Sequence, residues 1–354
     1  MITERIAALR EALKSRELDA LAVTKIENVR YLSGFSGSNA VGIIRSDSAT
    51  LITDGRYREQ AGREADGWDL VIYTKDLAAA IAEGLEGAKR AGLEDSTTLA
   101  FHRRLLGALE GVTLELTDGV VEELRTRKDA GEIELIRAAV ECARRAWDTI
   151  LPMIQPGVTE RQLASGLDYG MMTAGADKPA FDTIVASGPN SSMPHAGVTD
   201  RELAEGDLVV IDFGALKDGY SCDVTRTVAI GEPEGRSLKI MEAVLGAWDA
   251  AYAALAPGIA TADVDRAARK HLEDAGLADF FVHGLGHGVG LEVHEKPTLS
   301  YLSKDTLEPG MVFTIEPGVY VEGVAGARHE ETVLWDGERA EILSREIAPP
   351  CVPM

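Results

Sequence analysis

The chain has 354 residues, 45% hydrophobic and 27% charged, which is enough length and apolar content for two domains with complete cores. Its 58 acidic residues against 36 basic ones leave a net charge of −22, which argues against a nucleic-acid partner, since such a partner needs clustered Lys and Arg. No apolar run approaches a membrane span of ~18 residues, the three cysteines (Cys142, Cys222, Cys351) are too few and too scattered for a disulfide framework, and the N-terminus is too charged for a signal peptide, so a soluble cytoplasmic protein is expected.

Along the first 120 residues, helical and strand-like patterns alternate. Ile6, Leu9 and Leu13 share one face of an amphipathic helix. Leu21–Val23, Val41–Ile44, Thr50–Thr53, Leu70–Tyr73 and Leu99–Phe101 read as short buried strands, and Leu77–Ala91 as a helix. The turn-rich GFSGSN (Gly34–Asn39) is expected to be exposed. Near Arg125 a new unit begins, giving domains 1–125 and 126–354. Its opening helix carries Ile133, Ile136, Val140, Ala143 and Trp147 at steps of three and four, with Asp129 as N-cap and Glu132 three residues on.

The second unit repeats itself. AWD stands at Ala146–Asp148 and again at Ala247–Asp249, each followed by a Pro-Gly pair (Pro156–Gly157 and Pro257–Gly258). GDLVVIDFG (Gly206–Gly214) then matches GMVFTIEPG (Gly310–Gly318), both running glycine, apolar strand, isoleucine, carboxylate, one residue, glycine. Two such halves are expected to pack as pseudo-symmetric partners, with Asp212 and Glu316 meeting near the axis.

An acid closing so apolar a strand is costly to bury unless it is paired or binds a metal. Asp223 follows Asp212 by eleven residues, so a hairpin can return it to the same face; Glu330 follows Glu316 by fourteen, although its neighbour Glu331 competes for the assignment. Between the two hairpin segments lies FVHGLGHGVGLEVHE (Phe281–Glu295), with three of the chain's seven histidines among alternate glycines. It is not a phosphate loop, because G-x-G-x-x-G would need glycine where Val289 or Leu291 stands. Nor is it a helical H-E-x-x-H site, since glycines surround His283 and His287. Four carboxylates and one imidazole suit two divalent ions, and an oxygen-rich set favours Mn²⁺ or Co²⁺, with Zn²⁺ possible.

These residues carry a resemblance. Asp212, Asp223, His287, Glu316 and Glu330, in the phrases IDFG, CDVTRT, HGLGHGVGLEVHE, IEPGVY and RHEETV, resemble the five-ligand set of the pita-bread metallopeptidases. NVRYLSGFSGSN and TDGRYREQA are similar to the creatinase-type amino domain of the proline-specific branch. The resemblance implies an α+β chain, with a C-terminal pita-bread fold built on an internal pseudo-two-fold repeat and a smaller α/β creatinase-type domain before it. It implies an Xaa-Pro peptidase with two divalent metal ions per chain, Mn first, acting on proline-containing di- or oligopeptides with trans-proline in the second position, and forming a homodimer. By it, Asp212 binds one metal and His287 the other, Asp223 and Glu330 bridge, and Glu316 ligates the His287 metal and serves as general base. His294 donates to the reacting carbonyl, His195 contacts the substrate near proline, His283 lines the pocket and Arg328 supports the site. His102, His271 and His329 are read as ordinary structural histidines.

A dipeptidase must also hold a free carboxylate beside proline, and Thr298 stands where an arginine is sought. Lys296, Arg45 and Arg56 are the candidates. The compact 354-residue length and the wording HEKP nonetheless lean the reading to a prolidase, with aminopeptidase P action on longer peptides as the alternative and a non-catalytic pita-bread binding module as the remote one.

Overall fold

The computed structural model describes residues 2–347. Cys142 and Cys222 are buried free thiols, and Cys351 lies outside the described residues. The chain forms two compact units, Met1–Arg125 and Thr126–Met354. No helix among the described residues is long and apolar enough to cross a membrane.

The first unit runs α1 (Ile2–Ser15), β1 (Ala20–Val23), α2 (Ile26–Ser33), β2 (Ala40–Arg45), β3 (Ala49–Asp54), α3 (Arg58–Glu64), β4 (Asp69–Tyr73), α4 (Leu77–Gly84), β5 (Arg90–Glu94), α5 (Leu99–Ala108), β6 (Thr113–Thr117) and α6 (Val120–Arg125). Its strands form one mixed sheet in the order β4-β3-β2-β1-β5-β6. Four sequence expectations are corrected here. Leu70–Tyr73, expected as a buried strand, lies in β4 at the sheet edge, where Leu70 and Val71 are exposed. The helix expected over Leu77–Ala91 stops at Gly84, because Gly87 takes φ +81° and turns the chain into β5. Leu99–Phe101 is the start of helix α5, not a strand; the Thr98 side chain caps it by accepting from the Phe101 N–H, and only Leu105 of the helix is fully buried. In GFSGSN, Phe35 and Gly37 are buried, with Phe35 edge-on to Tyr57 at 5.6 Å.

The second unit opens with α7 (Ala130–Ile150), started by a complete Asp129–Glu132 capping box, and α8 (Glu160–Thr173) packs against it. Then come β7 (Lys178–Pro179), β8 (Ile184–Ser187), β9 (Leu208–Phe213), β10 (Ala215–Lys217), β11 (Tyr220–Ser221) and β12 (Val224–Ala229). The second half follows the same plan: α9 (Gly235–Ala254) packs on α10 (Thr261–Asp274), followed by β13 (Gly286–Gly288), β14 (Glu295–Leu299), β15 (Met311–Ile315), β16 (Gly318–Val321), β17 (Ala325–Arg328), β18 (Glu331–Trp335) and β19 (Ala340–Ile342).

The repeat read in the sequence is structural. GDLVVIDFG supplies β9 and GMVFTIEPG supplies β15. Each strand is followed by a small hairpin, β10–β11 or β16–β17, and then by its antiparallel partner, β12 or β18. The sheets run β12-β9-β8 and β14-β13-β15-β18-β19. Each half has its own core centred on its AWD tryptophan. Trp147 stacks on Phe213 (centroids 5.5 Å apart, planes 6° apart) among Val209 and Ile211, while Trp248 sits with Phe313, Ile315 and Trp335.

Candidate metal centre

Both repeat strands deliver an acid at the same point. Asp212 lies near the end of β9, opposite Ile184 and Thr225, and Glu316 directly follows β15. The last β15–β18 pair is Ile315 with Glu331, so Glu316 and Glu330 continue that register. Asp223 precedes Thr225 by two residues, which places both on one face of the returning chain. His287 sits in the middle of β13, between β14 and β15. A Cβ at Gly286 would lie 2.1 Å from the Thr314 carbonyl and one at Gly288 2.0 Å from that of Lys296. The alternating glycines therefore exist for strand approach, letting β13 squeeze between its neighbours with His287 pointing at the acids.

His287 Nε2 stands 3.3 Å from Glu316 Oε1 and 3.7 Å from Asp223 Oδ2. Asp223, His287 and Glu330 each offer a ligand atom, all within 4.8 Å of one another. Asp212 and Glu316 line the same cavity of about 590 Å³, together with His195, His283, His294 and Arg328. Three buried carboxylate oxygens, Asp212 Oδ1, Asp223 Oδ1 and Glu330 Oε1, have no hydrogen-bond donor among the described residues. A buried anionic oxygen without a donor is expensive. Several converging on one imidazole fit hard divalent cations.

The wider likeness of the chain agrees. The profile of metallopeptidase family M24 matches residues 134–336, from α7 through β18, and that of the creatinase/prolidase N-terminal domain matches residues 5–127. The chain belongs to metallopeptidase family M24. It is 36% identical to an Xaa-Pro dipeptidase of Pyrococcus horikoshii, over 94% of this chain and 95% of that one. Among solved structures it superposes on an Xaa-Pro dipeptidase from Bacillus anthracis with a TM-score of 0.96 (34% identity, 99% of this chain and 100% of that one). It superposes also on an X-Pro aminopeptidase from Thermotoga maritima with a TM-score of 0.87 (36% identity, 97% and 100%). As an M24 protein, the chain is a metal-dependent peptidase with a pita-bread domain behind a creatinase-type N-terminal domain.

In this M24 site the electrostatics divide the acids in two. Burial, then repulsion from Glu330, Asp212 and Glu316, pushes the Asp223 carboxyl well above the usual range. Burial, Glu316 and Asp212 do the same to Glu330. Asp212 is also raised by burial, with Arg328 pulling against it. Glu316 goes the other way: burial raises it, but the hydrogen bond and charge of His287 win and bring it to about 2. His287 is raised in turn, because Glu316 outweighs its burial.

Two residues escaped the sequence reading. Thr225 Oγ1 donates to Glu330 Oε2 (2.7 Å) and accepts from Arg328 Nε (3.0 Å). Arg328 is buried and also donates to Asp212, to the Pro194 carbonyl (3.2 Å) and to the Tyr320 hydroxyl (2.8 Å). Tyr320, pushed up to about 12 by burial, lies 3.0 Å from His283 Nε2. The period-2 spacing Asp223–Thr225 could have signalled the first; nothing in IEPGVY marks Tyr320 as polar machinery.

The remaining candidates fall as follows. The His294 ring lies 4.2 Å from that of His287 and is lowered by burial and by that neighbour. Its chain neighbour Glu295 is held by Lys128 at 3.2 Å in a buried pair. His195 is exposed within the cavity lining, and Thr298 lines the cavity too. Lys296 is exposed on β14. Arg45 belongs to the N-terminal unit, where its Nη1 donates to the Gly84 and Glu86 carbonyls (2.9 and 3.1 Å), and Arg56 pairs there with Asp54 at 2.9 Å. Glu331, the competitor of Glu330, points the opposite way and pairs with the buried Arg226 at 2.8 Å. His329 packs on Trp248 (5.4 Å), and His102 and His271 lie in α5 and α10.

Proposed function

We propose that the chain hydrolyses the Xaa-Pro peptide bond with trans-proline in the second position, acting by preference on dipeptides. The observation that carries this is the buried ring of carboxylates around His287, three of which turn a donorless oxygen inward. The Xaa-Pro dipeptidases among its relatives support the substrate class. In this reading Asp212 would hold one divalent ion, His287 and Glu316 a second, and Asp223 and Glu330 would serve both; Mn²⁺ would be preferred, with Co²⁺ or Zn²⁺ as substitutes. Ions bound there would lower the pKa of a water and polarise the scissile carbonyl.

Glu316, which ends its strand inside the cavity, takes the proton of the attacking water. His294, exposed in the cavity and held below the usual imidazole range by partial desolvation and by His287, has an N–H to donate to the carbonyl oxygen. His195 meets the substrate near proline, His283 shapes the pocket against Tyr320, and Arg328 orients Asp212 directly and Glu330 through Thr225. Arg45, Arg56 and Lys296 are the candidates for the substrate carboxylate. The catalytic domain spans 126–354 and the N-terminal domain 1–125, and a cytoplasmic homodimer completes the proposal.

A second reading, aminopeptidase P action on longer Xaa-Pro peptides, is favoured by one feature. Among the described residues lining the cavity, Arg328 is the single Lys or Arg, and it already donates to Asp212, Thr225, Tyr320 and Pro194. With Mn²⁺ supplied, faster hydrolysis of an Xaa-Pro dipeptide than of an Xaa-Pro-Yaa tripeptide is expected, with two ions per chain that are lost in Glu330→Ala. Preference for the tripeptide overturns the dipeptidase reading. A metal-loaded chain that cleaves neither returns the protein to a binding module.

A further inference from the structure

The proposed chemistry leaves one charged residue of the cavity without a task. Asp182 lines the cavity between Phe181 and Ile184 and is exposed. Ile184 lies opposite Asp212 in the β8–β9 register, and the Ala180 N–H continues that edge with a bond to the Gly214 carbonyl at 2.8 Å. Asp182 is thus carried on the segment alongside the strand that presents Asp212. Its place is fixed on both sides. A Cβ at Gly214 would lie 2.7 Å from the Phe181 ring, so that ring is seated on the strand, and Thr183 is buried and donates to Asp168 at 2.6 Å.

Among the described residues the Asp182 carboxylate has no hydrogen bond and no ion pair. Its charged neighbour is a second acid, Asp168, which burial and then Asp182 push upward. Arg328 cannot neutralise it, because that guanidinium is committed to Asp212, Thr225, Tyr320 and Pro194. An exposed carboxylate on the cavity wall that lacks a protein cation is free to pair with a cation on the substrate. The α-ammonium is poorly placed for this. It is two bonds from the scissile carbonyl carbon, so a productive pose sets it against the cluster carboxylates themselves. The side chain of the same residue is then the group left to reach Asp182, which lines the same cavity.

We infer that Asp182 is a specificity residue that makes the site favour peptides whose residue before proline is Lys or Arg. This rests on the Xaa-Pro reading of the site and adds the class of Xaa that it selects.

The test is kcat/KM of the Mn²⁺-loaded full chain on Lys-Pro, Gln-Pro and Glu-Pro. Wild type is expected to prefer Lys-Pro to Gln-Pro by about two- to five-fold, the range of an exposed charge pair, and to lose part of that preference as salt rises. Asp182→Asn should bring the Lys-Pro to Gln-Pro ratio near one, and Asp182→Lys should invert the Lys-Pro to Glu-Pro ratio. A merely structural role would lower all three substrates together and leave the ratios unmoved. Unmoved ratios, or a uniform loss that points to the α-ammonium, overturn the inference while the peptidase reading stands. Wild type that cleaves none of the three, nor their tripeptides, refutes the Xaa-Pro reading and this inference with it.

Discussion

Thr225→Val is the sharpest probe of how the centre is held. The substitution keeps a β-branched side chain of nearly equal volume in a strand where residue 225 is fully buried, so neither a cavity nor a loss of strand propensity enters. What it removes is one hydroxyl that links two charged groups, accepting from Arg328 Nε at 3.0 Å and donating to Glu330 Oε2 at 2.7 Å. Hydrogen bonds to charged groups are worth about 1.5–3 kcal/mol each, so losing two costs about 3 kcal/mol or more. Glu330 Oε1 already has no donor, which leaves that carboxylate with none among the described residues. Freed of its donor it turns, and metal affinity should fall about 10–100-fold, as when other groups that orient ligands are lost. Urea unfolding would read the stability and Mn²⁺ titration by calorimetry the affinity. A variant within about 0.5 kcal/mol of wild type, with unchanged Mn²⁺ affinity, would refute the relay from Arg328 through Thr225 to Glu330.

Three further outcomes separate support from chemistry. Glu331→Gln should cost about 3 kcal/mol of stability by removing the negative charge that the buried Arg226 meets at 2.8 Å, while Glu330→Gln should chiefly abolish metal uptake; parallel unfolding and metal analysis of the two distinguishes them. Trp147→Ala should destabilise by about 3–5 kcal/mol through loss of the stack on Phe213, and a thermal midpoint unchanged from wild type would contradict that packing. Lys128→Met leaves Glu295 buried without its cation beside His294; kcat should fall while metal content stays at the wild-type level, and Lys128→Arg should restore most of it.

Much of the site could be read before the fold was known, for a physical reason. An acid that ends a strand as apolar as LVVID or MVFTI is too costly to bury idly, and its recurrence in both halves of the repeat made chance a poor explanation. The capping box at Asp129–Glu132 is equally local, since every atom of it lies within one helical turn. Local patterns failed where the deciding contact is distant, as for Phe35 of GFSGSN, which is buried edge-on to Tyr57, and also where an apolar run is too short to read. Leu99–Phe101 is too short an apolar run to carry a period, and the capping hydroxyl of Thr98 decides it for helix.

By itself, then, the order of residues determined the inventory: four carboxylates, the histidines, the doubled strand and the boundary between patterns. Only the tertiary structure decided the pairing. Glu330 and Glu331 are neighbours in the chain, but successive strand side chains point to opposite faces, so one meets His287 and the other Arg226. The glycines around His287 likewise took their meaning from carbonyls of Thr314 and Lys296, which approach only once three strands lie side by side.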